Sequence, residues 1–156
     1  QRQMCIRDRS MSGFVVVGGP IDKHVIGNRV VVVGDSGGFA KPTTGGGVVL
    51  GGIISKIAGV ILLKHLREEV ELSYFEKAWK KAFLKQFLFM KSLAKGIRKL
   101  DDDGLDKVFF MAKKMGVEED LALFGDLDYQ GETICKLLSK AKYIKMVMYF
   151  VKSLLA

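Results

Sequence analysis

The stretch that most constrains this chain is residues 28–50, NRVVVVGDSGGFAKPTTGGGVVL. Four consecutive valines run into Gly34 and Asp35, and a glycine-rich loop with one proline then leads into a long apolar segment. A β-branched run bounded by turn residues predicts a buried strand, and the apolar segment predicts a helix. Backbone N–H groups in such a loop can face a ligand. Asp35 stands at the C-terminal end of the predicted strand, where α/β sheets usually hold ligands. The candidate site is therefore placed in this loop.

Length and charge limit the remaining choices. A chain of 156 residues, of which 49% are apolar, is enough for one domain with its own core. The net charge of +8 comes mainly from lysines after Lys77. A solvated helical surface is the usual explanation, and an anionic membrane or nucleic acid is the alternative. Cys5 and Cys135 show no metal-ligand or redox spacing, which indicates a reducing, cytoplasmic compartment. His24 and His65 are predicted to be structural or surface residues, and no metal site is expected.

Residues 1–10, QRQMCIRDRS, are polar and lack the hydrophobic periodicity of the segments that follow. They look like translated sequencing-adaptor read-through, and a disordered basic arm is the alternative. We therefore treat residues 1–12 as a non-native or disordered leader. A secretory signal is not predicted, because no apolar segment follows the arginines.

The first half of the chain is predicted to form strands followed by a helix. Residues 13–17 and 30–33 are predicted strands of one sheet, and the helix is predicted over residues 48–70. Gly51, Ser55 and Gly59 share one face of that helix and would let another backbone approach closely. A membrane span is the alternative. The apolar part, residues 48–63, contains Lys56 and is shorter than the about 20 residues that a span needs, so we predict a buried core helix.

The second half of the chain is predicted to form helices. Ser73 and Glu76 have the spacing of a capping box that starts a helix running to about residue 100. That helix carries large apolar side chains at helical spacing, a pattern typical of core: Phe75, Trp79, Phe83, Phe87 and Met90. A solvated turn is predicted over residues 101–104, and a shorter helix over residues 105–115.

The predicted end of the chain is an irregular acidic connector over residues 117–131 and a helix over residues 132–156. One side of that helix is apolar and much of the rest is lysine. It either packs on the body or lies on a membrane surface. In the second case, changing Lys140, Lys142 and Lys145 to Glu would abolish liposome binding.

Common phosphate-binding and catalytic templates fail in this chain. Gly47 and Gly52 have P-loop spacing, but Ile53 and Ile54 occupy the positions of the required Lys and hydroxyl residue. The GxGxxG fingerprint fails at Leu50. No Ser-His-Asp or Cys-His arrangement can be assembled from local spacing.

The pattern that no template explains is a predicted strand followed by Gly-Asp and small residues. A proline stands seven positions after the Asp, and three glycines precede the predicted helix. This run resembles the second flavin-binding motif of the geranylgeranyl reductase group of FAD-dependent oxidoreductases, within the aromatic-ring hydroxylase-like flavoprotein superfamily. The resemblance covers residues 13–156. It implies that the parent fold is of the α/β class and that this chain is an α+β fragment of it. Residues 13–71 would be the C-terminal part of a Rossmann-like FAD-binding domain, and residues 72–156 a mostly helical C-terminal region.

The resemblance also implies a FAD site. The residues implied to bind the cofactor are Gly34, Asp35, Gly37, Pro42, Thr44, Gly45, Gly46 and Gly47. Asp35 would accept a hydrogen bond from a ribityl hydroxyl. Gly34 and Gly37 would allow close backbone approach, and Pro42 would stiffen the loop beside the isoalloxazine ring. The N–H groups of residues 45–47 would face the pyrimidine end of the flavin. The alternative is a strand–helix turn that holds no ligand.

The implied function is reduction of C=C bonds in geranylgeranyl or other polyprenyl lipid chains by hydride from reduced flavin. The implied partners are a polyprenyl lipid substrate and a reductant, NAD(P)H or ferredoxin. Peripheral membrane association is compatible with this function, and nucleic acid is not expected. The alternatives are a flavin monooxygenase or halogenase, or a non-enzymatic basic helical module that binds membranes or nucleic acid.

This chain lacks the family's first flavin motif, the N-terminal GxGxxG, and the aromatic-rich substrate segment that would follow it. We therefore expect a C-terminal fragment that purifies colourless by itself. No catalytic residue is assigned.

Overall fold

The computed structural model describes residues 13–143, 148, 149 and 152. The helices are α1 (Val48–Leu66), α2 (Tyr74–Lys99), α3 (Asp102–Lys114), α4 (Val117–Phe124) and α5 (Gln130–Leu138). The strands are β1 (Val25–Ile26) and β2 (Val30–Val31), and 3₁₀ turns cover Gly34–Gly37 and Ala141–Tyr143. The predicted leader and most of the predicted terminal helix beyond residue 143, including Lys145, lie outside the described residues.

This architecture is mostly helical with a small β element, which is consistent with an α+β fragment. The described residues contain no parallel strand pair. The Rossmann-like domain therefore stays a prediction, as does the division at residue 71.

The small β element is an antiparallel hairpin. Strand β1 pairs with β2, with Ile26 opposite Val30. Between the strands, Gly27 and Asn28 have φ of 56° and 54°. The Arg29 N–H donates to the Ile26 carbonyl at 3.2 Å, which closes a turn with two left-handed central residues. Gly-Asn suits this turn because both residues tolerate positive φ.

The predicted strands are therefore partly wrong. Residues 13–17 have no regular secondary structure. The valine run contributes only two residues to a strand, and Val30 is 51% exposed. Strand β2 pairs with the chain immediately before it, and in the described residues no further strand extends the sheet. One side of the hairpin packs on the core through Val25, and the other side is exposed at Ile26 and Val30.

The main core is formed by α1, α2 and the loop between β2 and α1. The apolar stripe predicted for α2 is confirmed, because all five of its large side chains are buried. Phe39 from the loop and Leu50 and Ile54 from α1 pack against this stripe. Burying a side chain of this size stabilises a fold by about 1.5–3 kcal/mol, so this stripe holds the loop and α1 to α2.

Helix α1 is buried on one face only. The prediction of a core helix holds for that face, whose buried residues are Leu50, Gly51, Ile54 and Ile61. On the other side, Val48 is 91% and Leu66 is 71% exposed. Ser55 and Gly59 are also exposed, so the predicted close approach occurs only at Gly51, beside the Gly34 Cα. By length and composition alone, α1 is long and apolar enough to cross a membrane.

The predicted capping box is wrong. Ser73 itself has helical dihedrals, φ −56° and ψ −21°, and makes no side-chain cap. Its hydroxyl instead donates to the Glu71 carboxylate at 3.1 Å. The Glu76 carboxylate instead accepts from the backbone N–H of His24. A tertiary contact has thus replaced the local one.

Helix α3 begins earlier than predicted. Asp101 is its N-cap and accepts a hydrogen bond from the Gly104 N–H at 2.8 Å. Asp102 and Asp103 lie in the first turn, where the helix dipole favours negative charge. The acidic run is therefore a helix start and not only a solvated turn.

The region after α3 also differs from the prediction. The connector predicted over residues 117–131 contains α4, and the helix predicted from residue 132 breaks after Leu138. Tyr143 is fully buried in a second cluster with Val117 and Leu137. Its hydroxyl donates to the Asp120 carboxylate, and this contact explains why the chain turns back towards α4.

Candidate functional site in the glycine loop

The glycine loop, residues 34–47, starts with a 3₁₀ turn. The Gly38 N–H donates to the Asp35 carbonyl at 2.9 Å, and the Phe39 N–H to the Gly34 carbonyl at 3.1 Å. Gly38 has φ 71°, and a Cβ there would collide with the Gly19 carbonyl oxygen. Glycine is therefore required at this position for both backbone angle and space.

The second half of the loop closes on itself. The Lys41 N–H donates to the Gly46 carbonyl, and the Gly45 N–H donates to the Lys41 carbonyl, both at 2.8 Å. The Gly46 N–H has only a long contact, 3.4 Å, to the Thr44 hydroxyl. Since the Gly45 N–H is used inside the loop, the N–H groups available to a ligand are those of Gly46, Gly47 and the start of α1.

The two ends of the loop meet at Asp35 and Gly47. A Cβ on Gly47 would lie 2.7 Å from the Asp35 Oδ1, so the absence of a side chain makes room for the carboxylate. Gly47 is the N-cap of α1, where the helix dipole favours a negative charge. Asp35 is exposed, and within the described ranges its side chain has no hydrogen-bond partner. Its oxygens are therefore free to accept from a ligand.

The eight predicted residues lie on two sides of the loop. Asp35 lies against Gly47 and Gly34 against Gly51 at the start of α1, while Thr44 and Gly46 are exposed and Gly45 is half-buried. We call these residues the open rim. Gly37 and Pro42 are buried on the core side. There the Gly37 carbonyl accepts from the His24 Nε2 at 2.9 Å. The individual roles of all eight remain predictions.

His24 and Glu76 support the loop from behind. The His24 ring stacks on Phe39 with a centroid distance of 4.5 Å and meets Trp79 edge-on at 4.9 Å. Burial raises the pKa of Glu76, but hydrogen bonds from the His24 backbone and ring and from the Trp79 indole outweigh it and lower the pKa to about 2. Glu76 is thus held ionised beneath the loop. Sequence reasoning placed His24 correctly as structural but missed Glu76 as its partner.

Lys41 ties the loop to the C-terminal helices. It is 8% exposed, and its Nζ donates to the Leu127 carbonyl and to the Asp128 Oδ1, both at 2.8 Å. The Thr43 hydroxyl donates to the Gln130 side chain. Sequence reasoning missed these contacts, because residues 41 and 128 are 87 positions apart and nothing local marks the pair.

The sequence is similar to several curated proteins. It is 34% identical over 121 residues to an uncharacterized protein of Methanocaldococcus jannaschii, a match covering 77% of this chain and 31% of that protein. It is 34% identical over 98 residues to a digeranylgeranylglycerophospholipid reductase of Methanococcus aeolicus, covering 60% of this chain and 25% of the enzyme. The corresponding enzyme of Methanocaldococcus jannaschii is 33% identical over the same length.

No family model and no solved structure matches the chain. The chain spans between a quarter and a third of the length of the curated relatives that it matches. Over about 60% of its own length, it is related to digeranylgeranylglycerophospholipid reductases.

Proposed function

We propose that this chain is part of a FAD-dependent oxidoreductase that reduces C=C bonds in geranylgeranyl chains of a lipid, and that the glycine loop holds part of the flavin. The observation that carries the proposal is the free, exposed carboxylate of Asp35 beside Gly47 at the start of α1. The similarity to digeranylgeranylglycerophospholipid reductases supports the substrate class.

The residues at the open rim of the loop fit a flavin. Asp35 would accept a hydrogen bond from a ribityl hydroxyl, and an ionised acceptor makes a stronger bond than a neutral one. The N–H groups at Gly46 and Gly47 would face the pyrimidine end of the ring. A helix N-terminus stabilises a nearby anion by about 0.3–1 kcal/mol, and by about 2 kcal/mol in partly buried sites. When bound and reduced, the flavin would supply a hydride to one carbon of the alkene, and the other carbon would take up a proton.

The rest of the chain would keep this rim in place. Lys41 and its partners hold one half of the loop against the connection between α4 and α5. His24 holds the other half through the Gly37 carbonyl. Because both supports are buried, Asp35 and Gly47 would be presented with little freedom, which lowers the entropy cost of binding.

The test is a chimera in which this chain replaces the corresponding segment of the Methanocaldococcus jannaschii reductase. We expect the chimera to purify with bound flavin, and the D35A chimera to lose flavin affinity by about tenfold, the cost of one charge-assisted hydrogen bond. D22A changes an exposed aspartate outside the loop and is the matched control. A folded chimera without flavin, or equal flavin content in D35A and the unchanged chimera, would contradict the proposal.

A further inference from the structure

A second concave site lies between α2 and the segment before β1, and Pro42 of the glycine loop forms part of its lining. We call it the basic cleft, and its volume is about 320 Å³. Val17, Pro42 and Ala94 supply its apolar surface. Its charged lining comes from the last turns of α2 and consists of Lys91, Lys95, Arg98 and Lys99.

Two of the lysines that line the basic cleft, Lys91 and Lys95, repel each other. Lys91 and Lys95 are four residues apart on α2, so their ammonium groups share one helix face, and like charges at this spacing destabilise a helix. Among the described residues that line the cleft, none is acidic. Over the described residues, neither of these two lysines forms an ion pair, whereas Lys80 on the same helix pairs with Glu76 at 3.5 Å. An anion in the cleft would relieve this repulsion.

The helix dipole does not account for the whole set. Arg98 and Lys99 lie in the last turn of α2, where cations are favoured. Lys91 lies two turns before the end of α2, and the effect of the dipole falls off within the last turn. The helix end therefore does not account for the position of Lys91 beside Lys95.

The residues that line the cleft indicate the chemical class of the anion. An ammonium group is a common phosphate ligand, and a guanidinium group can bind two phosphate oxygens at once. An Arg98 Nη2–H reaches towards the Pro42 carbonyl at 3.5 Å, which places the guanidinium group at the cleft. The apolar surface suits the carbon of an ester, and the volume is at the lower end for ligand pockets. We propose that the basic cleft binds a phosphate monoester or diester the size of a headgroup. This site goes beyond the proposed flavin site and does not require it.

The test uses the full chain and measures the affinity for inorganic phosphate and glycerol phosphate by NMR titration at constant ionic strength. We expect saturable binding in which the shifted amides line the cleft. K91Q/K95Q should weaken it by about tenfold. K77Q/K81Q is the matched control, since it removes two exposed lysines at the same spacing on the same helix, about 21 Å away. It should change the affinity by less than about twofold.

Three results would overturn the proposal: no saturable binding, equal weakening by the two double variants, or acetate binding as tightly as phosphate. Circular dichroism of both variants establishes that each is folded before affinities are compared.

Two sources of the phosphate group are distinguished by a short-chain phosphatidylglycerol used below its micelle concentration. Binding about tenfold tighter than inorganic phosphate, and lost in K91Q/K95Q, identifies a lipid headgroup. Equal binding of the two identifies a free phosphate compound. Either result supports the proposal. Binding to phosphatidylglycerol vesicles without binding of either small molecule overturns it, since a general attraction to a charged surface would then explain the lysines.

Discussion

The imidazole of His24 and the carboxylate of Glu76, 52 positions apart in the chain, face each other beneath the glycine loop, with Nδ1 and Oε2 3.3 Å apart. The other ring nitrogen, Nε2, lies 2.9 Å from the Gly37 carbonyl oxygen, within hydrogen-bond distance. One side chain of α2 thus fixes the orientation of a ring that in turn holds the backbone of the loop.

The Glu76 contacts predict an acid-sensitive part of the stability. The folded-state pKa of Glu76, about 2, lies below its ordinary value of 4.5. The stabilisation is therefore complete above about pH 4.5 and is lost as pH falls towards 2. We expect E76Q to lower the free energy of unfolding by about 2 kcal/mol at pH 7, with the difference disappearing near pH 2. Urea unfolding across this pH range measures it.

E69Q is the control for this experiment, because Glu69 is exposed on the segment after α1. It should leave the free energy of unfolding nearly unchanged at every pH. A difference between E76Q and the unchanged protein that stays constant down to pH 2 would argue against ionised Glu76 as the support.

Lys41 and Asp128 are predicted to be energetically coupled. Lys41 is almost fully buried, and its Nζ lies 2.8 Å from the Asp128 Oδ1 across the fold. In a double-mutant cycle with K41M and D128A, we expect a coupling energy of about 1–2 kcal/mol from urea unfolding. K23M changes an exposed lysine, and its effect should simply add to that of D128A. A purely additive K41M/D128A pair would show that the ion pair is not a support for the loop.

Gly47 is predicted to matter for the position of Asp35 more than for stability. An added Cβ would lie 2.7 Å from the Asp35 Oδ1, and this exposed side chain can rotate away. In the reductase chimera, G47A should reduce flavin affinity by about tenfold while costing at most about 1 kcal/mol of stability. G52A is the control, since a Cβ there meets nothing and should stabilise α1 by about 0.5–1 kcal/mol without affecting flavin.

The turn between β1 and β2 is predicted to require a residue that tolerates positive φ. Asn28 has φ 54°, where a β-branched side chain is strained. We expect N28V to lower the free energy of unfolding by about 1–2 kcal/mol and N28G to change it by only a few tenths. Thermal and urea unfolding of the two variants compare them directly. Equal destabilisation by both substitutions would mean that the Asn28 side chain, and not its backbone angle, is what the turn needs.

Local patterns in the sequence predicted the features that depend on neighbouring residues. The apolar stripe of α2 repeats every three or four residues, so it predicts both the helix and its buried face. The glycine loop was predicted between the valine run and α1, because turn residues and the start of an apolar helical segment are visible in a short window. The Gly27-Asn28 pair is an equally local hairpin signal.

The tertiary structure decided which groups meet. Ser73 and Glu76 have a local capping pattern, yet Glu76 bonds to His24, because a buried backbone N–H and an indole N–H need an acceptor more than an exposed helix end does. In the same way, Lys41 finds Asp128 and Asp35 comes to rest against Gly47 only once the helices have packed. Periodicity and turn chemistry belong to adjacent residues and are set by the sequence alone. Partnerships between distant polar groups exist only where folding excludes water and brings their atoms within bonding distance.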